Sequence, residues 1–146
     1  MALIEWADGL IIGFPAIDAE HHRLVDMLNA LYQASIELRG QEVLRDIVSG
    51  MLEYASTHFK REETLMARFG YDKLDEHRAE HEQFVASARQ IKGKLESGSF
   101  VSSIDTLSFL KSWLVNHILD ADKKYGPCFL EHRAEIDSTF NVGGSV

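Results

Sequence analysis

Proline occurs only twice in this chain, at Pro15 and Pro127, so residues 16 to 126 lack the residue that most strongly breaks a helix. That uninterrupted stretch predicts an all-α body. Gly40, Gly70, Gly98 and Gly126 punctuate it at intervals of 30, 28 and 28 residues, and a glycine just past a helix end readily takes the left-handed conformation that closes it. Each interval then holds one long helix. Within the intervals, apolar residues step by three and four, the period of a helix with one face in a core. The stripes are Leu24, Leu28, Leu31 and Leu38; then Leu44, Ile47, Met51, Ala55, Leu65 and Phe69; then Leu74, Phe84, Ala88, Ile91 and Leu95; and last Ile104, Leu107, Leu110, Leu114, Ile118 and Ala121. Asp18, Asp72 and Ser102 or Ser103 stand where a side-chain oxygen can cap a helix start. Helices of about 20 residues joined by short turns must run antiparallel to their neighbours, which predicts an up-down-up-down four-helix bundle over residues 18–126. Residues 1–17 read as an apolar arm, with Trp6 and Phe14 covering part of the bundle. Residues 127–146 read as a C-terminal extension, a short helix "CFLEHRAEI" and then a loose end.

The chain has 146 residues and reads as one domain, long enough to bury a core without a staple. Its net charge of −8, with no cluster of Lys or Arg, argues against nucleic acid or an anionic membrane as a partner. The most apolar run, Leu10 to Ile17, is broken by Gly13 and Pro15 and falls well short of the roughly 20 residues that cross a bilayer. A single cysteine, Cys128, cannot form an internal disulfide, and the start of the chain lacks a charged-then-apolar leader. Both point to a cytoplasmic protein.

The stripes carry histidines inward. His21 is in phase with Leu24, Leu28 and Leu31, whereas its neighbour His22 is in phase with Asp26, Asn29 and Gln33 and reads as a surface residue. In "HFKREE", His58 and Glu62 continue the line of Met51 and Ala55, and Lys60, Arg61 and Glu63 point elsewhere. His77 and His81 share a face with Leu74 and Phe84, leaving Glu80 on the flank, and His117 follows Leu110 and Leu114. His132 lies beyond the bundle. A lone inward histidine is usually a hydrogen-bonded core residue. Five of them and a glutamate on four facing stripes are different, because each unpartnered buried polar group costs roughly 1–3 kcal/mol and a bare carboxylate far more. Metal resolves the conflict, since neutral imidazoles and carboxylates are its ligands. "HRAEH" also matches the H-x-x-E-H pattern of a zinc-peptidase class, but that chemistry needs Glu80 on the metal side. The ligands exceed what one ion accepts, which predicts two ions with one coordination position open. The second carboxylate is ambiguous from phase: at 100° per residue Asp120 lies about 60° from His117 and Asp122 about 140°, so regular geometry prefers Asp120. No further acid or base is evident on the inward stripes.

Together, "IDAEHHRL", "HFKREE", "HRAEH" and "WLVNHILDADKKYGP" resemble the hemerythrins, specifically the single-domain bacteriohemerythrins, over roughly residues 3–130. Ferritin-like di-iron proteins differ, since no glutamate here precedes an inward histidine by three. The resemblance implies two non-haem iron ions with a bridging oxo or hydroxo group. It assigns His77, His81 and His117 to the iron whose positions are filled, and His21 and His58 to the iron with the vacancy. Glu62 and Asp122 are implied as bridges, the aspartate following its histidine by five in the last turn, where a helix can unwind. Dioxygen would bind reversibly at the vacancy, behind an apolar wall for which Leu114, Trp113 and Phe59 are the candidates. The implied role is oxygen storage or delivery to an oxygen-consuming enzyme, by a monomer that is not itself an enzyme. The alternatives are a di-iron enzyme acting on peroxide or nitric oxide and an oxygen or redox sensor.

Overall fold

The structure, a computed structural model, describes residue 4, residues 10–37 and residues 40–136. Four long helices form the body: α1 (Pro15–Ile36), α2 (Gln41–Phe69), α3 (Leu74–Glu96) and α4 (Ser103–Asn116). After α4 the chain passes through a π turn (His117–Asp122) into α5 (Lys123–Phe129) and a 3-10 turn (Leu130–His132). Among the described residues there is no strand.

The buried side chains form two apolar cores. One holds Leu24 and Leu28 of α1, Met51, Ala55 and Phe59 of α2, Phe84 and Ala88 of α3, and Leu110 and Leu114 of α4. The other holds Phe14, Ile17, Leu65, Met66, Tyr125, Phe129 and Ile136. Their order along the chain gives the topology directly. Helices α1 and α3 run from the second core to the first, whereas α2, and α4 with its continuation into α5, run from the first to the second, so the bundle is up-down-up-down. Between the cores each helix carries buried polar residues: His21, then His58 and Glu62, then His77 and His81, then His117 and Asp122.

Ile4 and Leu10 pack into the first core, whereas Phe14 and the C-terminal segment close the end of the bundle that holds the second. Ile4 is pinned to α1 by a two-way exchange with Asn29, its N–H donating to Oδ1 at 2.9 Å and its carbonyl accepting from Nδ2 at 2.8 Å. Phe14 is buried with its ring edge-on to Phe129, and Arg133 lies over the Phe14 ring and donates to the Gly13 carbonyl at 2.7 Å. Trp6 and residues 137–146 lie outside the described residues.

Several helix ends differ from expectation. Helix α1 starts at Pro15, three residues before Asp18, because proline suits the first helical position, where its missing N–H is not needed. Asp18 instead ties down the approach to α1, accepting from the N–H groups of Ile12 at 2.8 Å and Gly13 at 3.1 Å. Helix α3 starts at Leu74 with no side-chain cap, so Asp72 does not serve there. Ser102 does cap α4, accepting from the Asp105 N–H. Gly70 closes α2 in the left-handed conformation, φ 71°, while Gly40 sits just before α2 instead of just after α1. Gly126 stops nothing: α5 runs through it and Pro127 to Phe129. Tyr125 and Phe129, on either side of the pair, are fully buried in the second core, and that packing overrides the weak helix propensity of Gly-Pro.

Two glycines of α2 separate backbone strain from packing. A Cβ added at Gly70 or at Gly50 meets nothing within 4 Å, but only Gly70 has a positive φ. Gly70→Ala should cost about 1 kcal/mol through the left-handed backbone, and Gly50→Ala should add about 0.5–1 kcal/mol through helix propensity. Urea unfolding of both variants would show opposite shifts; shifts of one sign would mean that neighbouring side chains, not φ, govern these positions.

Candidate metal centre

Each of the four helices delivers its part of the buried layer by a spacing its own geometry permits. On α2 and α3 the pairs His58 with Glu62 and His77 with His81 are four apart, one helical turn, and so lie on one face. His117 and Asp122 are five apart, and the π turn between them, with its i to i+5 hydrogen bonding, brings both to one face. The expected mechanism, unwinding in a last turn, is replaced by this widening inside a helix that continues. Phase in a regular helix preferred Asp120; the extra residue in the turn leaves Asp120 exposed, paired with Lys124 at 3.4 Å, and buries Asp122.

The seven side chains converge as two groups that share both carboxylates. Glu62, His77, His81, His117 and Asp122 form one; His21, His58, Glu62 and Asp122 form the other, and within each group one ligating atom per residue lies within 4.8 Å of the rest. Asp122 spans the groups one oxygen to each side. Its Oδ2 is 3.0 Å from His21 Nε2, and its Oδ1 is 3.0 Å from His77 Nε2 and 2.9 Å from His117 Nε2. Glu62 Oε1 stands 3.3 Å from His58 Nε2 and 3.4 Å from His81 Nε2, while Oε2 is 3.4 Å from His21 Nε2. His22 is absent from this set and pairs with Asp26 at 3.3 Å on the surface.

Apart from His81 Nε2 and His117 Nε2, which lie 3.0 Å apart as a hydrogen-bonded pair, most of these atoms are close but do not satisfy one another. Nε2 of His21, His58 and His77, Oε1 of Glu62 and Oδ1 of Asp122 are buried without a hydrogen-bond partner among the described residues. Nitrogens and oxygens that crowd together yet aim past each other fit cations held between them, and the donor set, imidazole nitrogen with carboxylate oxygen, suits iron or another first-row metal.

Behind the layer stand groups that sequence periodicity did not reveal. Glu20 lies 2.7 Å from His58 Nδ1, Glu63 lies 2.8 Å from His81 Nδ1, and Glu80 lies 3.2 Å from His117 Nδ1. Arg61 pairs with Glu20, and Arg78 with Glu63 at 3.1 Å. Glu63, Arg61 and Glu80 thus do serve the site, from the flank. The available signal was adjacency, since each glutamate is the sequence neighbour of an inward residue and can reach an imidazole of the next helix. Tyr125 donates to Glu62 Oε2 at 2.5 Å, which corrects the expectation that the inward faces hold no further acid. Of the three expected wall residues, Phe59 stacks on His81 at 3.9 Å and Trp113 on His117 at 4.4 Å, both against the three-histidine group. Leu114 is buried in the first core.

The electrostatics follow from this crowding. Burial disfavours the charged form of His21, but Asp122 and Glu62 outweigh it and push its pKa up to about 10. His58 rises to about 9 against its own burial, driven by Glu62 and Glu20, and His117 to about 9, driven by Asp122, Glu62 and Glu80. Burial alone would raise Glu62 and Asp122, yet the surrounding histidines hold both well below the usual carboxylate range. Burial and the two carboxylates push Tyr125 well above 10. Without metal, His21, His58 and His117 hold their protons beside Glu62 and Asp122, and a metal ion must displace those protons to enter.

The raised histidines stabilise the metal-free fold fully below pH 6.5 and lose that contribution as the pH climbs toward about 9 to 10. The depressed Glu62 stabilises it above its ordinary pKa of 4.5 and loses that contribution below. Calorimetric melts of the metal-free protein should therefore peak between pH 4.5 and 6.5 and decline toward pH 9, while metal affinity rises over the same interval with release of protons to an indicator dye. A metal-free melting temperature that climbs from pH 6.5 to 9 would contradict this charge pattern.

Against known proteins, the family of the hemerythrin HHE cation binding domain matches residues 13–129. The bacteriohemerythrin of Methylococcus capsulatus is 35% identical over 131 residues, covering 88% of this chain and 98% of its own. That of Stenotrophomonas maltophilia is 30% identical over 144 residues, covering 99% of this chain and 93% of its own. A crystal structure of wild-type hemerythrin superposes with a TM-score of 0.81 at 32% identity, over 87% of this chain and 98% of its own. Sequence and bundle agree over nearly the same stretch, the one that carries the buried layer, and the chain belongs to the hemerythrin family.

Proposed function

We propose that this protein binds dioxygen reversibly at a pair of iron ions held by His21, His58, Glu62, His77, His81, His117 and Asp122, as a carrier or store and not as an enzyme. The observation that carries this reading is the unequal division of the buried layer: three imidazoles in one group, two in the other, and both carboxylates common to the two. With equal bridging, the two-histidine group has the fewer ligands, and room for a small exogenous molecule lies on that side. When bound, such an iron pair supplies the electrons that hold dioxygen and recovers them on release.

The chain's own residues do the rest. Glu62 and Asp122 would each offer an oxygen to both groups, and carboxylates behind His58, His81 and His117 keep their Nε2 atoms turned inward. Leu114 and Phe59, buried, with Trp113 packed against the same core, would keep water from the side of the layer next to that core. The hemerythrin relatives from bacteria, and the myohemerythrin of Riftia pachyptila at 29% identity over 120 residues, support the assignment by their names. No helix among the described residues is long and apolar enough to cross a membrane, and the proposed setting is the cytoplasm, with an oxygen-consuming enzyme as recipient. A second reading, turnover of peroxide or nitric oxide, draws on Tyr125, a buried phenol on Glu62 that could hand on a proton.

The protein reduced without air should colour on exposure to oxygen and lose the colour when oxygen is removed, over repeated cycles, with two irons per chain by metal analysis. Oxygen consumption through many turnovers would favour the enzyme, and one zinc with no iron in protein made with iron available would overturn the di-iron reading. Asp122→Asn should lower iron content, because the amide offers one good oxygen where the carboxylate offers one to each group, while the exposed Asp120→Asn should leave loading intact. Iron loading that survives the first change and fails in the second would return the bridge to Asp120.

A further inference from the structure

The five inward imidazoles are treated unequally at Nδ1, the ring atom that faces away from the layer. In the three-histidine group, His81 and His117 both have a carboxylate there. In the two-histidine group only His58 does, and His21 Nδ1 is buried without a hydrogen-bond partner among the described residues. The carboxylate on His58, Glu20, is also the most enclosed of the three, its side chain 11% exposed against 22% for Glu63 and 47% for Glu80. Its other oxygen takes the Arg61 guanidinium. His58 and Arg61 are three residues apart on α2, so one face of that helix presents both to a single glutamate on α1.

We infer that Glu20, clamped by Arg61, is the positioning residue for the two-histidine side of the site. The inference rests on the reading of that layer as a metal centre. A carboxylate held by a guanidinium can only accept, so His58 Nδ1 must donate to it, and Nε2 is the nitrogen left to offer a lone pair once metal displaces its proton. That Nε2 is buried, unpartnered, and 3.3 Å from Glu62 Oε1, turned into the layer. His21 has no such hold. Its ring instead lies edge-on to His58, with centroids 4.8 Å apart at 72°, so His58 is the wall that keeps His21 in place. Glu20 therefore orients one ligand directly and the other through it. By drawing on the Nδ1 proton it also makes His58 the more electron-rich donor of the two, which favours the ferric state on that side. Arg61 balances a carboxylate that would otherwise be buried alone, and keeps it from turning out toward solvent.

Zinc, which cannot change oxidation state, separates positioning from redox chemistry. In titrations of the metal-free protein, Glu20→Ala should weaken the second zinc ion by roughly 10–100-fold and leave the first nearly unchanged. Nitrogen-15 histidine spectra of the zinc form should show the His58 Nδ1–H resonance move out of the strongly hydrogen-bonded range. Glu20→Gln keeps an accepting oxygen and should restore the tautomer and most of the affinity, yet in the iron form it should raise the reduction potential, because a neutral amide draws less on the Nδ1 proton. Arg61→Met should loosen the same hydrogen bond. Unchanged second-site affinity and an unchanged His58 resonance in Glu20→Ala would overturn the proposal. Should that variant not fold, a potential that does not move in Glu20→Gln together with an unaltered His58 resonance in Arg61→Met would overturn it equally. A parent protein that holds two zinc ions with the expected His58 signature, but never binds oxygen reversibly, would sink the carrier reading and leave Glu20 in its role. One that takes up no metal would sink both.

Discussion

Five imidazoles and two carboxylates, all nearly inaccessible to water, lie in one layer between two apolar cores, and the architecture depends on how their burial is offset. A buried polar group without a partner costs roughly 1–3 kcal/mol, and seven together would consume a large part of a domain's net stability. In the metal-free chain the offset is proton-mediated: His21, His58 and His117 bind protons more tightly than free imidazole does, and Glu62 and Asp122 stay ionised beside them. The same atoms suit metal ions better, because several are crowded together without hydrogen-bond geometry. Protons and metal compete for one layer.

Antiparallel helices are well suited to holding such a layer. All four cross it at the same level, and a turn of any one presents two side chains on the inner face, as His58 with Glu62 and His77 with His81 do. Rigid helices on either side then fix spacing to a few tenths of an ångström in a way that loops cannot. The π turn at His117–Asp122 is the one departure from regular geometry at the site. It inserts a residue so that a carboxylate five positions on can stand beside its histidine, 2.9 Å away. Without it regular phase would turn Asp122 away from the layer and bring Asp120 nearer to His117.

Outside the layer, glutamates orient three of the five imidazoles, and the differences among them carry chemical meaning. Glu80 is half exposed, Glu63 less so, and Glu20 is enclosed and charge-balanced by Arg61. A ligand whose outer nitrogen meets an enclosed carboxylate is held more firmly and donates more strongly than one without. Two ligand groups built from the same residue types thereby differ in the support behind their imidazoles as well as in their number of histidines.

The sequence by itself determined the all-α class, the antiparallel order and the inward histidines, because those follow from a local period: apolar residues at steps of three and four commit His21, His58, Glu62, His77, His81 and His117 to the same faces as the leucines beside them. It also carried the family, through motifs whose spacing is tied to that period. What only the tertiary structure decided lies where a local rule fails or where two helices meet. Asp122 required a π turn that no residue of "HILDAD" announces, and Gly126 with Pro127 failed to end a helix because Tyr125 and Phe129 are locked into a core. Glu20, Glu63 and Glu80 sit off the inward stripes and reach the layer from the flanks of neighbouring helices, and Tyr125 reaches it from the helix that continues past the π turn. Periodicity describes how one helix faces the core; it holds no information about which side chains meet across the seam between two.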